Sequence, residues 1–378
     1  MDRKFLKGRR LSVRIAFWLL AGMLLAGCGR ADGEKSGDGQ SGQTTEGKLK
    51  IVATLFPQYD FARQIAGDYA DVTLLLPPGM ESHSYDLRPS DMIKIRESDM
   101  FIYTGKYMET WAQTIIDSLD DSVMVVDVSD GITLEKEEDY FVDELADHDD
   151  ADGYDEHHDD VDGHDEHHDD ADGHDEHHDD ADEHEHDESS DSHSHHSHAG
   201  HTHEYDPHIW TSPVYAMQMV ENIVDALVEK DPQHEAEYRQ RADEYIGKLT
   251  ELDTAFRQVS EDAAHKTIFF GGRFAMTYFV REYGFGCVSA YHDCSAESEP
   301  SISSVMKMID EIEESGAKAV FYEELVDPKV ARTIAEETGV KLLLLHSAHN
   351  VSREEYENGV TYLDIMWRNV ENLKEGLN

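Results

Sequence analysis

The chain has 378 residues, of which 82 are Asp or Glu and 32 are Lys or Arg, and its formal net charge is −50. This acidity argues against nucleic-acid binding, because clustered Lys and Arg supply most of a protein's affinity for phosphate backbones. The charge is concentrated, since residues 147–204 hold 25 of the acidic residues, no Lys or Arg, and 17 of the 24 histidines. The remainder is long enough for two domains of ordinary size.

The first 27 residues have the layout of an export signal. Six Lys and Arg residues precede an apolar run from Ile15 to Leu25, which is too short for a good membrane span. The following Leu-Ala-Gly-Cys, which ends at Cys28, resembles the lipobox of bacterial lipoproteins, in which the cysteine becomes the lipidated first residue of the mature chain. Cleavage without lipidation is the alternative, but it leaves Cys28 without a role. We therefore predict a signal peptide at 1–27 and a lipid anchor to the cell membrane, outside the cytoplasm.

The next segments are predicted to be a tether and the first α/β lobe. Residues 28–47 are rich in Gly, Ser, Gln and charge, which is typical of a flexible tether. In residues 48–146, the N-lobe, short apolar runs alternate with helical segments, and such alternation implies a mostly parallel sheet covered by helices on both faces. The expected elements are strands at 49–55, 72–76, 100–103 and 123–126 and helices at 59–66, 89–97 and 108–119.

Residues 147–204 form an acidic insert with a tandem repeat. Ten-residue units begin at Asp152, Asp162 and Asp172 and contain almost no apolar residue, so no core can form and we predict disorder. Imidazole suits zinc, copper and nickel, and carboxylates add charge, so the insert is expected to collect metal ions loosely. The alternative is a solvated loop that only maintains solubility, which 17 histidines do not fit. The expected metal-binding histidines are His157, His158, His164, His167, His168, His174, His177, His178, His184 and His186.

The remaining chain completes a two-lobed architecture. Residues 205–233 end the N-lobe, and 234–264 show apolar residues at helical spacing in a long, heavily charged segment. The β-α-β pattern restarts in a C-lobe at 265–378. We predict two α/β lobes with mostly parallel sheets, joined by one long rigid helix, with a ligand site between them beyond the carboxyl ends of the strands. The expected elements are helices at 213–229, 274–283, 301–315, 328–338 and 354–377 and strands at 267–270, 319–322 and 340–345.

Two cysteines, Cys287 and Cys294, lie in the C-lobe. In an exported protein a local disulfide between them is the favoured interpretation, and two buried thiols are the alternative. A zinc site of Cys and His is a third possibility, although the usual Cys-x-x-Cys spacing is absent.

Three histidines outside the insert occupy positions suited to a ligand site. His83 follows a strand and a Pro-Pro-Gly turn, His208 precedes a helix, and His346 directly follows an apolar strand. One loop histidine alone is more often a satisfied structural residue. Three at such positions indicate a metal site.

Several motifs resemble the metal-binding family of substrate-binding proteins of ABC transporters. These are Pro-Pro-Gly-x-x-Ser-His-Ser-Tyr-Asp-Leu-Arg-Pro-Ser-Asp at 77–91, Asp-Pro-His-Ile-Trp at 206–210, Glu299-Pro-Ser, and Glu323 with its flanks. The His- and Asp-rich insert resembles that of the zinc-specific members. The resemblance implies a protein without catalytic activity that binds its ion between the lobes, with His83 and His208 at the first two ligand positions. We expect the protein to be a monomer.

The chain departs from this family at two positions. Members usually carry a His or Glu where Arg273 stands, and an Asp or Glu commonly follows the last apolar strand, where His346 stands. Arg273 cannot bind a cation, because its guanidinium stays protonated. It is expected to pair with a carboxylate such as Glu299 or Glu323. His346 is then predicted to complete a three-histidine set whose fourth ligand is His349, Glu81 or water.

Three imidazoles favour Zn²⁺ over manganese, which prefers more oxygen ligands. The sequence therefore predicts an extracytoplasmic subunit that captures Zn²⁺ and delivers it to an ABC permease. Manganese or another divalent metal is the alternative within the family. A zinc-dependent hydrolase or a surface adhesin is less favoured, since the chain has no His-Glu-x-x-His helix and no clear general base beside the ligands.

Overall fold

The computed structural model describes residues 47–82, 85, 87–136, 205–291 and 300–378. The predicted signal peptide, Cys28, nearly all of the tether, and the acidic insert with its ten candidate histidines lie outside the described residues. So do His83, Cys294 and Glu299, which leaves the predicted disulfide outside the description. In the part of the chain that is described, no helix combines the length and apolar character needed to cross a membrane.

The N-lobe is built on a four-stranded parallel sheet. Its strands are β1 (Leu49–Ala53), β2 (Ala70–Leu74), β3 (Met100–Tyr103) and β4 (Met124–Asp127), in the order β2-β1-β3-β4. The central strand β3 is buried along its whole length, as its uninterrupted apolar sequence requires in a sheet covered on both faces. The helices between the strands are α1 (Phe56–Ala66), α2 (Pro89–Arg96) and α3 (Ala112–Ile116).

Two long helices follow. α4 (Pro213–Lys230) begins at Ser212, whose hydroxyl accepts a hydrogen bond from the N–H of Val214. α5 (Glu235–Asp262) has 28 residues and corresponds to the predicted linking helix. One face of α5 is buried at helical spacing, through Tyr238, Ala242, Tyr245, Leu249, Leu252, Phe256 and Val259.

The C-lobe repeats the topology of the N-lobe. Its strands are β5 (Thr267–Phe270), β6 (Gly286–Ser289), β7 (Ala319–Tyr322) and β8 (Lys341–Leu344), all parallel, in the order β6-β5-β7-β8. The intervening helices are α6 (Thr277–Tyr283), α7 (Ile302–Ser315) and α8 (Lys329–Thr338). The predicted fold class is confirmed, but strand β6 is absent from the prediction. It is a short edge strand with one large apolar residue, Val288, so its sequence lacks the usual strand pattern.

The last predicted helix, 354–377, is wrong as a single element. It consists of α9 (Arg353–Glu357) and α10 (Tyr362–Gly376). Gly359 between them has φ of 71°, a left-handed conformation that ends a helix. Thr361 and Asp364 then form a capping box that starts α10.

The apolar core crosses the predicted lobe boundaries. One cluster of buried side chains extends from Ile51 in β1 to Leu377 after α10. Helix α10 belongs to the predicted C-lobe but packs against α1 as well as α5. The N–H of Tyr362, at the start of α10, donates to Asp60 of α1 across 2.9 Å. The loops on both sides of the cleft are therefore supported by one continuous core.

Candidate metal centre

His208 lies in a segment that both lobes hold in place. The segment starts at Tyr205, which forms an antiparallel bridge with Lys136. The hydroxyl of Tyr278 in α6 donates to the carbonyl oxygen of Asp206 at 2.6 Å. Trp210 Nε1 donates to the carbonyl oxygen of Ser347, in the loop after β8, at 2.9 Å. These contacts fix His208 against the C-lobe, with only 1% of the residue exposed.

Asp206 orients the imidazole of His208. Its Oδ1 lies 2.7 Å from His208 Nδ1 and also accepts the backbone N–H of His208 at 2.8 Å. Burial alone would raise the pKa of Asp206, but His208 and the hydrogen bonds from His208 and Thr277 lower it below its ordinary value. An ionised Asp206 requires the proton on His208 Nδ1, so Nε2 carries the lone pair that can bind a metal.

His349 faces His208 from the C-lobe loop. The two imidazole centroids are 4.6 Å apart, with the rings nearly perpendicular. The backbone of this loop adopts a left-handed conformation at Ala348, which has φ of 61°. It is tied to the N-lobe by Asn350, whose amide donates to the carbonyl oxygens of Pro77 and Met80 at 2.8 and 2.9 Å. The structure thus brings together one histidine from each predicted lobe, His208 and His349.

His346 is held differently from the other two histidines. Its Nδ1 accepts the backbone N–H of Ala348 at 2.9 Å, while Glu324 lies 3.5 Å from the same nitrogen. The shorter contact decides the tautomer, because an N–H pointing at Nδ1 requires a lone pair there. Burial lowers the pKa of His346 below its ordinary value, against the opposing charge of Glu324, and so favours the neutral ring. The proton of that neutral ring is on Nε2, so binding of a metal at Nε2 would require a change of tautomer and the loss of the hydrogen bond from Ala348.

The backbone of His346 is also fixed by the fold. The side-chain amide of Asn369 in α10 accepts the N–H of His346 at 2.9 Å and donates to its carbonyl oxygen at 2.8 Å. The hydrogen bond that Ala348 donates to Nδ1 thus distinguishes His346 from His349 in this loop, and the predicted role of His346 as a ligand stays a prediction.

A cavity of about 50 Å³ lies beside His349. Arg273 lines it, and its Nε is 3.5 Å from Oε1 of Glu323, so one of the two expected pairings is present. Glu323 fits only because residue 272 is glycine, since a Cβ there would lie 1.5 Å from Glu323 Oε2. Glu81, a predicted alternative fourth ligand, lines the same cavity.

The described part of the site is incomplete as a metal centre. Among residues 47–82, 85, 87–136, 205–291 and 300–378, no group of three or more His, Cys, Asp or Glu side chains could hold an ion. His83, the first predicted ligand, follows directly after the described segment that ends with Ser82. Sequence reasoning gave no role to Asp206 or Glu324. The spacing Asp-x-His could have indicated the first, whereas Glu324 was marked only as a flank of the Glu323 motif.

Glu109 is a buried carboxyl on the N-lobe side of the cleft. It accepts hydrogen bonds from the hydroxyl of Thr54 and from the N–H of Thr104, the residues that follow β1 and β3. Burial raises the pKa of Glu109 to about 7, although these hydrogen bonds oppose the shift.

This shift predicts a pH-dependent stability. Because the pKa is about 4.5 in the absence of the fold and about 7 within it, Glu109 stabilises the protein fully below pH 4.5 and progressively less as pH rises to 7. The loss is about 3 kcal/mol. We expect urea unfolding of the zinc-free protein to reveal this loss. The difference in unfolding free energy between wild type and Glu109→Gln should change by this amount between about pH 4 and about pH 8. A difference that stays constant over this range would contradict the assignment.

Two α/β lobes, each built on a parallel sheet, with imidazoles that meet between them, define a class of protein. This class is the two-lobed metal-binding substrate-binding proteins. Residues 51–376 match the family described as ZnuA, zinc-uptake complex component A, periplasmic. The chain belongs to this family. Its members are extracytoplasmic transport proteins, and this matches the predicted class and location outside the cytoplasm.

Individual relatives agree with this assignment. The chain is 32% identical over 356 residues to the high-affinity zinc uptake system protein ZnuA of Bacillus subtilis, covering 94% of each chain. Among solved structures, the metal-dependent lipoprotein YcdH of Bacillus subtilis is 29% identical with a TM-score of 0.64, covering 87% of this chain and 99% of that one. The Zn(II)-bound ZnuA-like domain of Streptococcus pneumoniae AdcA is 25% identical with a TM-score of 0.63, covering 88% and 99%.

Proposed function

We propose that this chain captures Zn²⁺ between its two lobes and delivers it to an ABC permease for uptake. The observation that carries the proposal is the meeting of His208 and His349, whose ring centroids are 4.6 Å apart between the N-lobe and the loop after β8. Imidazole nitrogen is a preferred ligand of zinc. Membership of a zinc-uptake family supports zinc as the transported ion.

The proposed ligand set is His83, His208 and His349, with Glu81 or water in the fourth position. His83 enters this set from its sequence motif, since it lies outside the described residues. Glu81 lines the cavity beside His349, which supports its place near the ion. Four ligands of this kind would hold zinc tetrahedrally, with nitrogen–metal distances of roughly 2.0–2.1 Å. Arg273, engaged with Glu323, would contribute charge beside the site and no ligand.

Two further parts of the chain would serve the same function. A lipid at Cys28 would keep the protein at the membrane that contains the permease, a role supported by the lipobox-like sequence. The histidine-rich insert would raise the local concentration of zinc near the cleft. It ends directly before Tyr205, which pairs with Lys136 and lies three residues before His208.

The experiment that tests this function is zinc uptake at limiting zinc by bacteria that lack this chain. Wild type should restore uptake and be found in the membrane fraction. His208→Ala should reach the membrane in equal amount without restoring uptake, because one cleft ligand is missing, and Cys28→Ser should leave the membrane fraction. Normal uptake with His208→Ala would refute the cleft as the transport site, and membrane retention of Cys28→Ser would refute the lipid anchor.

A further inference from the structure

The imidazole of His349 is connected to a carboxylate through a serine. His349 Nδ1 lies 3.1 Å from the hydroxyl oxygen of Ser347. That hydroxyl donates to Oε1 of Glu324 at 2.6 Å, and the backbone N–H of Ser347 donates to Oε2 of the same carboxylate at 2.8 Å. Ser347 is 6% exposed, so water competes little with these contacts.

The direction of the hydrogen bonds fixes the tautomer of His349. An ionised carboxylate only accepts hydrogen bonds, so Ser347 must give its single hydroxyl proton to Glu324. The oxygen of Ser347 can then only accept from His349, which puts the imidazole proton on Nδ1. The lone pair is consequently on Nε2, the nitrogen available to a metal.

From this geometry we propose that Glu324 is a positioning residue which, through Ser347, holds His349 in the tautomer that binds zinc. The proposal rests on the proposed function for the identity of the ion. It assigns the C-lobe the same device as the N-lobe, where Asp206 contacts His208 Nδ1 directly at 2.7 Å. In both cases a carboxylate that is not itself a ligand determines which imidazole nitrogen carries the lone pair for the metal.

Glu323 provides a matched control for Glu324. The two residues are adjacent after β7, and both line the cavity beside His349. Glu323, however, is paired with Arg273 and accepts its backbone N–H at 3.2 Å. Conversion of either residue to glutamine removes one negative charge from the same cavity. Only the change at Glu324 alters the hydrogen bonds that reach His349.

The variant Glu324→Gln should reverse the hydrogen bonds. The amide oxygen of the glutamine can still accept the backbone N–H of Ser347. The amide nitrogen then donates to the hydroxyl oxygen of Ser347. The hydroxyl proton turns toward His349 Nδ1, and the imidazole proton moves to Nε2. The first zinc ion should therefore bind roughly 10–100-fold more weakly, the usual loss when an outer partner of a metal ligand is removed. Ser347→Ala should allow both tautomers and weaken binding to a smaller extent.

The tautomer is measured by ¹⁵N NMR of the histidine rings in the zinc-free full-length protein, with His349 assigned by the loss of its signals in His349→Gln. Affinity for the first zinc ion is measured by competition with a chelator. We expect Nδ1–H in wild type and in Glu323→Gln, and Nε2–H in Glu324→Gln with the weakest binding of the three. If Glu324→Gln fails to fold, Ser347→Ala provides the same test through its mixture of tautomers.

Two outcomes would overturn the proposal. One is an unchanged Nδ1–H tautomer in Glu324→Gln or Ser347→Ala, and the other is equal zinc affinity of Glu324→Gln and Glu323→Gln. Failure of the proposed function gives a different result. In that case wild type and His208→Ala would bind the first zinc ion equally, while the NMR measurement on zinc-free protein would still test the hydrogen bonds.

Discussion

His349→Asn is expected to weaken binding of the first zinc ion by more than about 100-fold, while His346→Asn leaves it within a few-fold of wild type. The first substitution removes a proposed ligand, so its effect should exceed the roughly 10–100-fold loss caused by changing an outer partner. The second should preserve the structural role of His346. In wild type, the N–H of Ala348 donates to His346 Nδ1 at 2.9 Å. Asparagine would place its Oδ1 near the position of that nitrogen, so it could still accept this hydrogen bond.

The zinc affinity of the variants His349→Asn and His346→Asn is measured by competitive titration with a zinc chelator. Thermal unfolding is the control that both variants fold. Anomalous diffraction at the zinc edge from zinc-bound crystals would identify the ion and its ligands directly. A large loss of affinity in His346→Asn, with little change in His349→Asn, would restore the ligand set predicted from the sequence. Losses of similar size would mean that both histidines are needed.

Deletion of residues 147–203 should reduce the bound zinc to one tightly held ion per chain. This segment contains 17 of the 24 histidines. Without a rigid frame its composition can supply capacity but little selectivity, because no fixed geometry sets the coordination number. The tight site should survive, since Asp206, Trp210 and the described residues that contact them, such as His208 and Ser347, lie outside the deletion.

The number of ions is measured by native mass spectrometry after equilibration with excess zinc, and the affinity of the last ion by chelator competition. A full-length variant with asparagine at every histidine of the insert is the matched control, because it retains the length and acidity of the insert. It should lose the additional ions as the deletion does. If the deletion abolishes the tight site, the division of roles between cleft and insert is wrong.

The fold was largely accessible from the sequence because parallel strands and covering helices leave strong local patterns. Met100–Tyr103 and Ala319–Tyr322 are uninterrupted apolar runs, and both are strands with the predicted bounds. The errors occurred where the local signal was weak. Strand β6 has one large apolar residue, and the break before α10 depends on Gly359 and the cap at Thr361.

The candidate site was less accessible, because it depends on contacts between distant residues. Two histidines three positions apart follow β8, and the sequence gives no reason to prefer the second. The preference comes from the left-handed backbone at Ala348, the clamp from Asn369 and the direction of one N–H. Glu324 is likewise identified only through its contact with Ser347, 23 residues away.

The Lys136–Tyr205 bridge allows the number of histidine repeats to vary independently of the fold. Lys136 and Tyr205 flank the segment that contains the insert and lie beside each other, so a longer or shorter segment between them would begin and end at the same place. For an unstructured segment, as its composition predicts, each doubling in length adds only about 0.6 kcal/mol of loop-closure free energy. Slippage during replication of a repetitive coding sequence could therefore add or remove ten-residue units with little penalty. Zinc capacity can then change between lineages while the affinity of the cleft stays constant.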